Sequence, residues 1–230
     1  MKIVKNEKLI KRNSKIGQYT SLGALVVLGV GMYISFTRSE LFIWALVALL
    51  LGFTLTQIGM YFGNRWGRSP RPDELLDASL KGLPGDFVIY HWITPVAHLL
   101  VGPAGVWVII PYHQRGQVTY QKNRWKMSGG GFLQFYMRLF GQEGFGRPDL
   151  EAEAEINSLR KSLTKEMEED EIPEIKAALV FTTEGVEIDA GDAPMPALPV
   201  KKLKDFMRNK AKEKSISNAE LEKVKAALPE

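Results

Sequence analysis

Gly102-Pro103-Ala104-Gly105-Val106-Trp107-Val108-Ile109-Ile110-Pro111-Tyr112-His113-Gln114-Arg115-Gly116 reads as a turn, a buried strand and a second turn. Working outward, two more runs rich in Val, Ile and aromatics precede it, Phe87–Ile93 and Ala97–Val101. Thr94-Pro95 and Gly102-Pro103 separate the three, so they predict a meander of adjacent strands. Downstream, "GQVTYQKNRWKM" predicts a short strand or hairpin, with Gly116 at the turn. Upstream, "DELLDASLKGL" sets Leu75, Leu76, Ser79/Leu80 and Leu83 on one helical face. Asp73 and Glu74 lie in its first turn, where the helix dipole favours them.

Beyond the meander, "SGGGFLQFYMRLFGQEGFGRP" (128–148) joins three glycines to an aromatic cluster of Phe132, Phe135, Tyr136 and Phe140. It reads either as an amphipathic helix lying on a bilayer, with Arg138 on its polar side, or as a loop packed on its own domain. Asp149 then caps a helix reaching to about Asp170, with Leu150, Ile156, Leu159, Leu163 and Met167 at helical spacing. "EIKAALVFTT" (174–183) predicts a buried strand parallel to a neighbour reached through that helix. "ALPV" reads as one more short strand and "KKLKDFMRNKAKEK" as a helix with Leu203, Phe206 and Met207 inward. Ser217 and Glu220 form a capping-box pattern opening a final helix. The expected plan is an α/β domain over 73–212, a mixed sheet flanked by helices, followed by a C-terminal helix in 213–230.

The N-terminal part has a different character. Residues 16–37 and 41–64 carry no charged side chain, and only Thr37-Arg38-Ser39-Glu40 interrupts their apolar runs. At ~1.5 Å rise per residue each run can cross a ~30 Å hydrocarbon core. The expectation is a transmembrane helical hairpin over 16–64, after a basic leader (1–15) and before a stiff linker (65–72) with Pro70 and Pro72. A signal peptide followed by a buried core helix is the alternative. Gly59 and Gly63 form a small-xxx-small pair, a hint of helix packing or merely the glycine common in spans.

Charge supports an orientation. Residues 1–72 hold ten Lys/Arg against Glu7 and Glu40, a net +8, whereas the whole chain is only +4, so 73–230 carries −4. The leading segment has six basic residues, the exit segment "NRWGRSPRP" three and the turn one. That bias predicts both termini in the cytoplasm and a location in the cytoplasmic membrane. There are no cysteines, which excludes disulfides, thiolate metal sites and a cysteine nucleophile. No Walker loop, Gly-x-Ser-x-Gly, His-Glu-x-x-His or dinucleotide fingerprint is present.

The segment "HLLVGPAGVWVII…G" (98–116), with "ALVFTTEGVEI" and "PALPVKKLKDFM" after it, resembles the nuclease-related domain, a branch of the PD-(D/E)XK nuclease superfamily. The resemblance covers about Asp73 to Arg208 and implies a restriction-endonuclease-like fold. It also implies where the metal site would be. The family's aspartate would fall on Ala97, its glutamate on Ile110, its lysine on Tyr112 and its helix glutamine on Glu151. Only the acidic residue of the first helix survives, as Glu74 or Asp73. Mg²⁺-assisted phosphodiester hydrolysis needs at least two carboxylates on the ion, and alanine and isoleucine supply none. The resemblance therefore implies a nuclease scaffold without catalysis or cofactor, serving as a binding or scaffold module. The alternative is a metal-dependent DNA nuclease with a relocated site that would take Mg²⁺.

Two further groupings bear on partners. His91, His98 and His113 lie on or beside three consecutive strands, where a His₃ zinc site or ordinary structural histidines are the alternatives. Residues 104–148 carry Arg115, Lys122, Arg124, Lys126, Arg138 and Arg147 against Glu143, interleaved with Tyr112, Tyr120 and Trp125. That strip suits anionic lipid headgroups, or nucleic acid with the aromatics as stacking groups. Residues 149–192 hold fourteen acidic against four basic residues, which disfavours a polyanion; they form a solvated face or a surface for a basic protein.

Overall fold

The computed structural model describes residues 1–129, 145–213 and 215–229, so the aromatic segment is largely outside the described residues. In chain order the elements are β1 (Lys2–Lys5), α1 (Glu7–Thr37), α2 (Phe42–Phe62), α3 (Pro72–Leu80), β2 (Val88–His91), β3 (His98–Gly102), β4 (Gly105–Tyr112), β5 (Gln117–Gln121), β6 (Arg124–Ser128), α4 (Pro148–Leu163), β7 (Ile175–Phe181), β8 (Glu187–Asp189), β9 (Ala197–Pro199), α5 (Leu203–Glu213) and α6 (Asn218–Ala226). They fall into two units, Met1–Asn6 with Pro72–Glu230, and Glu7–Arg71.

In the first unit the described strands form a six-stranded sheet, order β1-β2-β3-β4-β7-β9, and a three-stranded one, β6-β5-β8. Strands β2, β3 and β4 make the expected antiparallel meander, and β7 lies parallel to β4 with Val106 opposite Ile175 and Tyr112 opposite Phe181. Both faces of this sheet are covered, which is why β4 and β7 are apolar without alternation. One face carries Val88, Leu99, Val108 and Leu179 and packs with Ala152, Leu159, Leu221 and Val224 of α4 and α6. The other carries Ile89, Leu100, Ile109 and Val180 and packs with Leu76, Leu80, Leu203 and Met207 of α3 and α5. The β3–β4 turn is set by its residues: Pro103 and Ala104 form the loop, and Gly105 takes φ +104°, which only glycine adopts without strain.

Three departures from the sequence reading have physical causes. The first strand ends at His91 because Trp92 has φ 60°, and its N–H turns to the Ala97 carbonyl. α4 ends at Leu163, short of Asp170, because the acidic run beyond it would sit at the negative end of the helix dipole. The first fifteen residues, read as a leader, divide: Lys2–Lys5 is a strand, parallel to β2 with Ile3 opposite Ile89, and Glu7–Lys15 is already helix. The sequence "GQVTYQKNRWKM" does form a hairpin, β5–β6, turning at Lys122 and Asn123 with φ 52° and 56°. The capping box at Ser217 and Glu220 is also present.

The second unit holds two helices long and apolar enough to cross a membrane. The buried residues repeat every seventh position: Gly17, Ala24 and Gly31 on α1, and Ala45, Gly52 and Gly59 on α2. A Cβ added at Gly59 would lie 2.4 Å from Ser21 Oγ, at Gly52 2.5 Å from Leu28, and at Gly31 2.8 Å from Ala48 Cβ. The backbones thus approach as closely as hydrogen in place of a side chain allows. Gly63 is different: a Cβ there would meet nothing within 4 Å, so the seam follows the seven-residue repeat rather than the Gly59/Gly63 pair. Large apolar groups point away, among them Leu25, Val26, Tyr33, Ile43 and Leu50. Thr20, Thr37, Thr54 and Thr56 each bond a carbonyl four residues back, so their hydroxyls need no water.

The seam gives a direct expectation. Gly59→Val should destabilise the helical pair by roughly 1–3 kcal/mol, the usual cost of overpacking. Gly29→Ala, where the added Cβ meets nothing, should be neutral. Thermal unfolding of the full chain in detergent, followed by circular dichroism, measures both.

Candidate functional site

Ile110 of β4 lies on the α4-covered face of the main sheet. Tyr112, two residues further along β4, lies on the same face, and its hydroxyl donates a short hydrogen bond to Glu151 of α4. Burial, then the hydrogen bond and charge of Glu151, push the phenol well above its ordinary range. It is a neutral donor at any physiological pH. Its ring packs on Phe145 and Phe181, at centroid distances of 5.1 and 5.7 Å. Here the positions expected to hold an aspartate, a glutamate and a lysine present a methyl group, a butyl group and a phenol already engaged by a carboxylate. Glu74 is on α3, which packs on the opposite face.

That opposite face holds a polar cluster that sequence reasoning missed. Asp73 and Asp77 lie four residues apart on α3, hence on one side of it. Lys5, the last residue of β1, bridges them, 3.2 Å from Asp73 Oδ2 and in direct contact with Asp77. Asp73 is completely buried. His91 Nε2 lies 3.0 Å from Asp77 Oδ1, and His91 Nδ1 lies 2.7 Å from His98 Nδ1. A carboxylate only accepts, so His91 carries its hydrogen on Nε2, and the two Nδ1 atoms share a further one. Trp92 stands against His98 at 4.8 Å between ring centroids. The register explains the meeting, because β2 and β3 pair His91 with His98 directly. The legible signals were the i, i+4 aspartates, the two histidines flanking one turn, and the alternation of Lys2-Ile3-Val4-Lys5. None announces that an N-terminal tetrapeptide joins the sheet.

The pair His91 and His98 does not extend to His113, which is exposed beyond β4 and accepts from Thr183 Oγ1 through its carbonyl at 2.6 Å. Among the described residues no group of three or more His, Asp or Glu is arranged to hold a metal ion.

The basic strip is not one surface. Arg124 and Lys126 are exposed on β6, Lys122 is at the turn and Arg115 lies before β5. Lys126 pairs with Thr119, whose other neighbour is Asp189 on β8, and Glu187 occupies the equivalent place beside Gln117. The outer face of the small sheet therefore carries both signs, cations on β6 and acids on β8 with uncharged β5 between them. Arg147 is held by Asp149 through two bonds of 3.2 and 2.8 Å. Arg138 lies outside the described residues. A groove of about 780 Å³ runs along the beginning of β7, lined by Trp107, Ile156, Lys176, Met195, Phe206 and Lys210. It is at the far end of β4 from Tyr112, away from the carboxyl ends of the parallel strands where α/β sheets usually bind ligands.

Comparison with family models, with curated proteins and with solved structures finds no match to this chain.

The ion cluster sets a pH window. Burial opposes ionisation of Asp77, but the hydrogen bond from His91 and the contact with Lys5 outweigh it and hold the carboxyl below its ordinary 3.8. Its contribution to stability is therefore present above that value and lost as the pH falls through the lowered one. Burial likewise opposes the charge on Lys5, but Asp77 and Asp73 hold its pKa above 10.5, so its contribution is lost only as the pH rises beyond that. The contributions of Asp77 and Lys5 should be constant between about pH 5 and 9, and that of Asp77 should be lost below about pH 4. Lys5→Met leaves Asp73 buried without its ammonium and should cost about 3 kcal/mol, with partial recovery in Lys5→Met/Asp73→Asn. Denaturant titration of the full chain in detergent measures each.

Proposed function

We propose that this chain is a membrane-anchored, nuclease-like α/β module without hydrolytic chemistry, acting as a binding or scaffold module on the cytoplasmic side. The observation that carries this reading is Tyr112, two residues after Ile110 on β4, giving its only hydrogen to Glu151. Phosphodiester cleavage on such a scaffold needs a hard divalent cation on two or more carboxylates, and an ammonium to orient the attacking water. Neither Ala97 nor Ile110 has a donor atom, and a neutral phenol cannot stand in for an ammonium. Losing one preorganised charged group typically costs ~10²–10³ in rate, so losing several leaves no measurable turnover. The nuclease-related plan is supported by the order of the elements: a helix, a three-stranded antiparallel meander, a helix, and a strand returning parallel to the third.

Anchoring is supported by the outward apolar surface of α1 and α2, which only hydrocarbon solvates without cost. The residues before the hairpin and those after it share one sheet through β1 and β2, and this supports two hairpin ends on the same side of the bilayer. The six basic residues of the leader make that side the cytoplasm.

Activity and orientation are tested separately. The full chain in lipid nanodiscs, with Mg²⁺ or Mn²⁺, should leave single- and double-stranded DNA uncut relative to a protein-free control. Metal-dependent cleavage that Glu74→Ala abolishes would mean a relocated nuclease site instead. For orientation, the absence of cysteines makes single replacements unambiguous. Ser39→Cys, between the two helices, should react with a membrane-impermeant maleimide in intact cells, and Ser158→Cys on α4 only after lysis. The reverse pattern would invert the topology.

A further inference from the structure

The cations that meet lipid need not be those of the small sheet. We propose that the end of the helical pair where α1 begins and α2 closes is a docking surface for anionic phospholipid headgroups. This rests on the bilayer anchoring proposed above.

The antiparallel seam builds the surface. A Cβ at Gly17 would lie 2.9 Å from the Gly63 nitrogen, and one at Gly67 would lie 3.8 Å from Ser14 Oγ. The first turns of α1 therefore lie alongside the residues that follow α2. Lys8, Lys11, Arg12 and Lys15 project from the former and Arg65 and Arg68 from the latter, all exposed. The acid within these turns is Glu7, which Lys11 contacts at 3.5 Å. At the opposite end of the pair, Arg38 and Glu40 offset each other at 3.6 Å. The charge of the unit is thus gathered at one end, next to the apolar surface that would occupy the bilayer.

Local structure also holds that end in place. The chain leaves α2 through a wide turn over Gly63–Gly67, closed by the Arg68 N–H on the Gly63 carbonyl at 2.8 Å. Trp66 is buried there against Tyr61 and Phe62, at 6.0 and 5.4 Å between ring centroids. Arg65 lies over the Tyr61 ring at 5.1 Å and donates to its hydroxyl at 3.2 Å. A tyrosine and a tryptophan at the edge of an apolar span mark the headgroup level, so the guanidinium is held at the depth of lipid phosphates. The four cations of α1 are long and flexible, and they match a fluid anionic surface better than a single shaped ligand. The small sheet lacks this arrangement, because Glu187 and Asp189 share its outer face with Lys126.

Each basic residue close to an anionic membrane surface is worth roughly fivefold in binding, an effect that salt screens. The test is native mass spectrometry of the full chain released from nanodiscs of equal phosphatidylglycerol and phosphatidylcholine, with alkaline-carbonate extraction of proteoliposomes in parallel. The wild-type chain should resist extraction and retain phosphatidylglycerol in preference. Lys11→Gln/Arg12→Gln/Lys15→Gln/Arg65→Gln should resist extraction equally and lose at least tenfold of that preference. Arg124→Gln/Lys126→Gln should keep it. Equal retention of the two lipids by the wild-type chain, an undiminished preference in the quadruple variant, or its loss in the β6 variant overturns the site while the anchor stands. Extraction of the wild-type chain by carbonate overturns the anchor, and the site with it.

Discussion

Lys5 reaches from the last residue of the first strand to two carboxylates of α3, and those residues are separated in sequence by the whole helical pair. Closing so long an insertion is opposed by loop entropy, and removing the Lys5 ammonium from the buried Asp73 would be costly in itself. The contact meets both demands. It fixes β1 against β2 and seats the start of α3 on the sheet. The histidine pair behind Asp77 extends the cluster into the meander, so its polar groups tie three consecutive parts of the fold together. A buried ion network of this kind contributes less to net stability than apolar packing of the same volume would, but it is intolerant of losing a single member.

The two faces of the main sheet divide the work. The face under α3 is polar at the edge that receives β1. The face under α4 is packed with Ile110, Phe145, Phe181 and the ring of Tyr112. Within it Tyr112 and Glu151 meet as a phenol and a carboxylate that satisfy each other. The pair has no donor hydrogen left for a phosphate oxygen.

The proposed lipid contacts follow the distribution of charge. Summed along the chain, the basic residues of the leader and those of the small sheet look equivalent. In three dimensions the β6 cations share their face with acids from β8 across β5, whereas those of α1 and of the turn after α2 are gathered next to the apolar helical surface. Potential at a surface depends on that grouping more than on net charge.

Much of this was legible in the residues. Unbroken apolar runs fixed β4 and β7 as central strands, Gly and Pro marked the turns between them, and uncharged stretches of some twenty residues marked α1 and α2. These are local signals, in which each residue's backbone preference and the solvent it requires agree. The candidate site was half legible: that Ala97, Ile110 and Tyr112 offer no metal ligands is a matter of residue type, and needs no coordinates. What only the tertiary structure decided depends on partners distant in sequence. A tetrapeptide such as Lys2–Lys5 has too few residues to declare itself a strand, and it becomes one because β2 offers an open edge and α3 offers two carboxylates. The small-residue seam follows a seven-residue period that means little until a second helix lies across it. Tyr112 and Glu151, and likewise Lys5 and Asp73, are unremarkable along the chain, because a pairwise interaction is a property of the distance between two groups, and folding alone sets that distance.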